Sequence, residues 1–427
     1  MTALILFGVF FVCLILGVPI AVGLGIATLL ALFQAGVPAS VLPQRMFLAV
    51  DSFPFMAIPF FMLAGSIMEK GGISRRLVDF ANELLGPIRG GLAMATSLAC
   101  AFFAALSGSG PGTVAAIGSV MYPQMVKQEY DPGFAAGLIA AAGGLGPIIP
   151  PSILMVTFGV VTESSIGDLF LGGVGVGVVL LICLLGITYL LSVKAGYRGA
   201  RDSWSGQRIV QSFWSALPAL GMPALILGGI YGGFFTPTEA AAVSVVYALV
   251  VSLCVYREVK LQDLVEGINN AAVAASVVLF IMGTSAGFSW LFAWSGSSRE
   301  LARFIITTFP SPLVYVIATT IVMLIFGTFM EGNAILLLLM PILYPPAKAM
   351  GIDPIYYGLV ATLAMVIGLI TPPVAVNIYT AQGVTGLPME RVVKGMMPFF
   401  IAMLVGLVIL IFVPQTATFI PSMLKAR

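Results

Sequence analysis

Residues 107 to 113 read Ser-Gly-Ser-Gly-Pro-Gly-Thr and interrupt a long apolar run. Helix is weak there, because glycine costs backbone entropy and the Pro111 ring removes an N–H donor and crowds the preceding turn. In hydrocarbon such a break is tolerated only where it is buried in protein or lines a polar cavity. Two serine hydroxyls, a threonine hydroxyl and freed carbonyls are what a hard cation such as Na⁺ needs, since several oxygens must replace its water shell. The alternative is a glycine-rich turn that only lets two helices pack closely.

A second stretch offers the same chemistry. Sliding the chain by 222 residues superposes Tyr122-Pro123 on Tyr344-Pro345, Asp131-Pro132 on Asp353-Pro354, and Pro150-Pro151 on Pro372-Pro373. With Ala142, Gly146 and Ile148 on Ala364, Gly368 and Ile370, nine of the 31 positions from 121 to 151 are identical. Several are prolines and aspartates, which membrane composition alone does not supply. The shift gives the first break a twin at Gly327-Thr328-Phe329-Met330-Glu331-Gly332-Asn333. It also pairs two glycine- and proline-broken helices, at 134–162 and 355–381. Paired interrupted segments in two halves of a membrane chain point to a midplane site.

Two cation sites are expected. Ser107, Gly108 and Ser109 would face Gly146, Ile149 and Pro150, and Gly327, Thr328 and Gly332 would face Gly368, Thr371 and Pro372. Ser109, Thr113, Pro151, Asn333 and Asn377 are the candidates for a substrate, and half-helix N-termini there would favour a carboxylate. Glu331 is either a gate or an orienting residue at its tip. Glu239 is either functional or a first-turn residue capped after Thr236-Pro237. Asp131 and Asp353, each followed by proline, read as helix N-caps.

The elements that position these residues follow from composition. The 427 residues are 60% hydrophobic and 8% charged, which excludes an ordinary soluble protein. Unalternating apolar runs such as 2–33 and 170–193 argue for helices against a β-barrel, so the expected fold is an all-α polytopic membrane protein. Residues 3–34 form one long or broken span bending at Gly17 and Pro19, retained and not a signal peptide. A span at 46–68 ends before Arg75-Arg76, which marks a water-facing loop. Runs 91–106 and 114–126 are short of the ~20 residues that cross a bilayer, and suggest a re-entrant hairpin. The first repeat covers 1–195 and the second 211–427. Between them, Lys194, Arg198, Arg201 and Arg208 cluster in or beside a polar linker, 196–210, placed in the cytoplasm by the positive-inside rule.

The four cysteines lie in apolar runs without CxxC spacing and read as core residues. Histidine is absent, and no nucleotide-binding or hydrolase motif occurs, so an enzyme is not expected. The net charge of +2 carries no signal for nucleic acid.

The stretches FFAALSGSGPGTVAAIGSVMYPQM, GLGPIIPPSILMV, GGFFTPTEAAA and GLITPPVAVNIY lie in this order along essentially the whole chain. They resemble the large membrane subunit of tripartite ATP-independent periplasmic (TRAP) transporters. The resemblance implies an inverted-repeat, elevator-type secondary transporter in the bacterial inner membrane, with two re-entrant helical hairpins and two discontinuous helices. It implies Na⁺ coupling through at least two sites at the tips and breaks named above. It also implies a small membrane subunit and a periplasmic binding protein that delivers an organic acid such as a C4-dicarboxylate or sialic acid. No apolar extension resembles a fused small subunit, so that partner is expected as a separate chain. The other readings are a stand-alone divalent-anion/Na⁺ symporter of the same fold and a passive channel.

Overall fold

A computed structural model describes residues 2–201, 203–309 and 311–425, so the outer limits assigned to the two repeats, residues 1 and 427, lie outside it. The described residues form helices and no strand. The first half contains α1 (Thr2–Ile15), α2 (Ile20–Gln34), α3 (Val41–Val50), α4 (Ala57–Lys70) and α5 (Ile73–Leu85). It continues with α6 (Gly91–Ser107), α7 (Gly110–Lys127), α8 (Pro132–Ala142), α9 (Ile153–Thr162) and α10 (Ile166–Ala195). The second half contains α11 (Gly206–Tyr231), α12 (Pro237–Val250), α13 (Leu261–Trp294), α14 (Ser297–Thr308) and α15 (Pro312–Gly327). It ends with α16 (Gly332–Ala349), α17 (Pro354–Gly368), α18 (Val376–Thr385), α19 (Met389–Phe412) and α20 (Gln415–Lys425).

The helix starts keep the spacing read from the sequence. Helices α7 and α16 begin at Gly110 and Gly332, and α8 and α17 at Pro132 and Pro354, each pair 222 residues apart. Asp131 and Asp353 cap α8 and α17, accepting from the Phe134 and Tyr356 N–H groups at 2.8 and 2.9 Å. Glu239 and Thr236 form a reciprocal cap at the start of α12, so Glu239 is spent on a helix end.

Twin segments pack against each other in opposite directions. Ser66 in α4 donates to the Gly267 carbonyl near the start of α13 at 3.2 Å, and Lys70 pairs with Glu266 at 3.2 Å. Further along α13, a Cβ on Gly283 would stand 3.4 Å from Met46 in α3. Thus α3–α4 descend as α13 ascends. Elsewhere glycine sets the contacts: a side chain on Gly395 of α19 would strike the Gly133 backbone of α8, and one on Gly137 the Gly395 backbone. Helices in lipid gain little from apolar burial against each other, so close backbone approach at small residues supplies the packing instead.

One end of the molecule gathers the basic loops. Arg76 binds Glu258 at 2.7 Å, and Arg201 and Arg208 of the linker reach the buried Glu83 of α5 at 2.7 and 3.4 Å. The Ala200 N–H and the Trp204 indole donate to the Gly86 and Leu84 carbonyls, which makes the linker a strap docked on α5.

Among the described residues, five helices are long and apolar enough to cross a membrane, or six if α3 and α4, bent by 64°, count as one. Three expectations are corrected. Residues 3–34 are two helices folded back at Gly17 (φ +75°), with Thr2 Oγ1 3.4 Å from Gln34 Oε1, because Leu16-Gly17-Val18-Pro19 reverses the chain completely. Arg75 and Arg76 sit in the first turn of amphipathic α5 and not in a loop, since an apolar face gives that segment a surface to lie on. Cys254, in the wider turn that follows α12, is exposed, unlike the buried Cys13 and Cys100, because it lies at the helix end beside the exposed Leu253 and Val255.

Candidate functional site

At the first tip α6 ends on Gly108, whose φ of +58° suits glycine, and where a Cβ would come within 2.5 Å of the Pro151 carbonyl. Ser109 is extended and caps α7, its hydroxyl accepting from the Gly112 N–H at 3.4 Å. Thr113 donates to the Ser109 carbonyl at 2.8 Å, and its oxygen lies 2.9 Å from the Ser107 hydroxyl. Both hydroxyls are therefore organised around one carbonyl. The pairing of Thr96 in α6 with Met125 in α7 shows the two helices running antiparallel from this turn.

The first break sits directly on the tip. After Ala142 the chain makes a short 3₁₀ turn, and a side chain on Gly146 would fall on the Ser109 carbonyl. Ser152 closes the break, donating to the Pro147 carbonyl and accepting from the Met155 N–H at the start of α9. Ile149 packs on Gly177 of α10, and Pro150 and Pro151 are buried.

The second tip is built alike with different residues. Glu331 takes the place of Ser109 as the cap of α16, accepting from the Asn333 and Ala334 N–H groups at 3.0 and 3.2 Å and from the Asn333 amide at 2.7 Å. It is an orienting residue at a helix start. Tyr315 in α15 donates to the Leu343 carbonyl in α16, so this pair is antiparallel too. Gly327 and Gly368 lie backbone against backbone, the Val374 N–H donates to the Thr328 carbonyl at 3.0 Å, and Thr371 donates to Ile367 of its own helix. Pro372 and Pro373 are exposed, unlike their buried twins.

Each tip also leans on the other half's broken helix. Asn333 accepts from Thr157 of α9 at 2.9 Å. Asn377, wholly buried in α18, donates to the Ala140 carbonyl of α8 at 3.3 Å, while its Oδ1 has no hydrogen-bond partner among the described residues. A Cβ on Gly110 would stand 2.7 Å from that oxygen. A buried oxygen without a donor is costly, and a cation or a water at the first tip would satisfy it.

Between the tips lies a cavity of about 570 Å³. Its wall includes Gly110, Ile153, Asn333 and Val376, which stand at or next to the first residues of α7, α9, α16 and α18. Four helix N-termini thus converge on one space, and their dipoles favour an anion, opposed by the Glu331 carboxylate on the same wall. The facing wall is apolar, including Val277 and Phe280 of α13. Of the expected substrate residues, Ser109 and Asn333 line the cavity, whereas Thr113, Pro151 and Asn377 lie behind it. Thr157 was not among the sequence candidates: it sits within the regular turns of α9, past the break, and its contact depends on α9 meeting the second tip.

Residues 7–416 match the family described as the DctM component of the tripartite ATP-independent periplasmic transporter. The chain is 40% identical to the isethionate TRAP transporter permease protein DctMQ of Oleidesulfovibrio alaskensis, over 97% of this chain and 66% of that longer protein. It is 37% identical to the C4-dicarboxylate TRAP transporter large permease protein DctM of Rhodobacter capsulatus, over 99% of this chain and 100% of that one. The crystal structure of the YdaH transporter of Alcanivorax borkumensis superposes with a TM-score of 0.58 at 15% identity, covering 87% of this chain and 86% of that one. That likeness concerns the fold.

Proposed function

Because the chain belongs to the DctM component family of tripartite ATP-independent periplasmic transporters, whose members are transporter permeases, we propose that it carries an organic acid across the bacterial inner membrane by Na⁺ symport. The observation that carries this reading is the cavity on which four helix N-termini converge between two oxygen-rich tips. The acid is a carboxylate such as a C4-dicarboxylate or sialic acid. A periplasmic binding protein hands it over, and a small membrane subunit braces the permease.

In this reading the helix pairs α6–α7 and α15–α16 are re-entrant hairpins and the two halves an inverted repeat, which the antiparallel packing of α3–α4 on α13 supports. One Na⁺ is held by the first tip and the Gly146–Pro150 break, with the Asn377 Oδ1 beside it. A second is held by Gly327, Thr328 and Gly332 with the Gly368–Pro372 break. Sodium at the tips seats Ser109 and Asn333 against the cavity, so that the carboxylate meets the helix ends only when the cation is present. The tips and broken helices then move as one body past α4 and α13, as an elevator.

Uptake by the permease reconstituted in proteoliposomes with its small subunit and binding protein tests this. Uptake should require Na⁺ and fail without the binding protein. Uptake unchanged when K⁺ replaces Na⁺ refutes the coupling, uptake without the binding protein favours a stand-alone carrier, and single-channel currents favour a pore.

A further inference from the structure

Two smaller cavities continue the central one toward the basic end. The first, of about 150 Å³, shares Met62, Ser109, Ile153 and Ala274 with the central cavity. The second, of about 270 Å³, shares Glu69 with the first. The walls advance in step. Along α4 they pass from Met62 to Gly65 and Ser66, then Glu69 and Lys70; along α7 they pass from Ser109 to Gly112, then Ala116 and Ser119. Steps of three and four residues keep these positions on one helix face, and Ser109 to Ser119 spans about 15 Å.

Small residues line part of the seam, and at Gly65 a Cβ would stand 3.3 Å from the Ser107 backbone. Its mouth carries charges of both signs: Glu69 lines it beside Lys70 and Arg75, and Asp79 stands one turn along α5 from Arg75. Lys70 and Arg75 line the last cavity with Ser74 and Ser119. Lys70 is held by Glu266, whereas Arg75 is exposed and makes no salt bridge among the described residues. On the opposite side, a cavity of about 590 Å³ lined by Glu163 and Asp168 shares no residue with the central one.

We propose that the seam between α4 and α7 is the release route of the carried anion, with Arg75 forming a carboxylate-binding station at its mouth and Glu69 a like-charge barrier where the two smaller cavities meet. The station rests on the organic-acid transport proposed above. An anion leaving the helix ends is attracted from the far side of that barrier by Arg75, and Glu69 slows its passage in either direction. The acid is thus bound in sequence at two places of different character: helix N-termini inside, a flexible side-chain cation at the exit.

The test uses the permease with its small subunit in inside-out vesicles, its four cysteines replaced, carrying Ser119→Cys or Ala274→Cys. Membrane-impermeant methanethiosulfonates of negative and positive charge report the local potential through their reaction rates. At Ser119→Cys the anionic reagent should react faster than its cationic counterpart. Arg75→Ala should reverse that preference by about tenfold, and Arg75→Lys should restore it. Glu69→Gln should raise the anionic rate by about tenfold at Ala274→Cys and also at Ser119→Cys, since Glu69 lines both cavities. No reaction at either position from the basic side, or equal rates for both reagents whatever stands at 75, overturns the route. A preference for the anionic reagent that appears only in purely zwitterionic bilayers assigns the cations to anionic lipid headgroups and overturns the station. Uptake by the parent complex that ignores Na⁺ would refute the transport reading instead, and the reaction rates would still report on the seam.

Discussion

At the scale of single residues, what matters is which polar atoms remain available after the backbone has been satisfied. The Ser107 and Thr113 hydroxyls are engaged with each other and with the Ser109 carbonyl, so they shape the tip. Ser107→Ala should therefore cost about 1 kcal/mol and raise the Na⁺ concentration for half-maximal uptake only several-fold. The Asn377 Oδ1 is the opposite case, buried beside Gly110 with no hydrogen-bond partner among the described residues. Asn377→Leu should raise that Na⁺ concentration about tenfold or more, equivalent to ~1.4 kcal/mol. An unchanged Na⁺ dependence would remove this oxygen from the site. That Ser107 to Thr113 form a break was legible in the residues themselves. Which of their oxygens stay free was not, because it depends on χ angles and on neighbours more than 200 positions away.

At the scale of elements, the tips work because two helices start and two backbones approach at the same place. Glu331 holds three donors at the start of α16, so Glu331→Ala should cost about 1–2 kcal/mol of stability and release Asn333 from its fixed orientation. Thermal unfolding of the purified complex, with substrate affinity measured beside it, would show both; unchanged affinity would mean that Asn333 holds its place without the cap. Gly146→Leu should be harsher, since its side chain would occupy the Ser109 carbonyl's position and push the tip off the break. Loss of uptake with the complex still assembled is expected, and full uptake would count against a tight fit. Helix starts were readable here because caps are local: Asp131-Pro132, Asp353-Pro354 and Thr236-Pro237 carry their own signals. The reversal at Gly17 was not, since a bend and a full turn use the same residues and only the packing of α1 on α2 separates them.

At the scale of the whole molecule, the linker ties the frame together at the basic end. Glu83 is buried under Arg201 and Arg208, whose guanidinium groups are partly exposed. Glu83→Ala should cost about 1–2 kcal/mol, a screened value for a half-exposed cluster, and lower the unfolding temperature of the complex in low salt more than in high salt. Equal shifts at both salt concentrations would mean that packing of the strap, and not charge, does the holding. The sequence by itself determined the membrane class, the 222-residue repeat and the positions of both tips and both breaks, because glycine, proline and polar residues stand out against hydrocarbon at short range. Only the tertiary structure decided that each tip rests on the other half's broken helix, that four helix N-termini face one cavity, and that a seam runs from it to Lys70 and Arg75. Those arrangements arise from contacts between segments far apart in the chain, set by where small residues let backbones meet, and no local pattern encodes them.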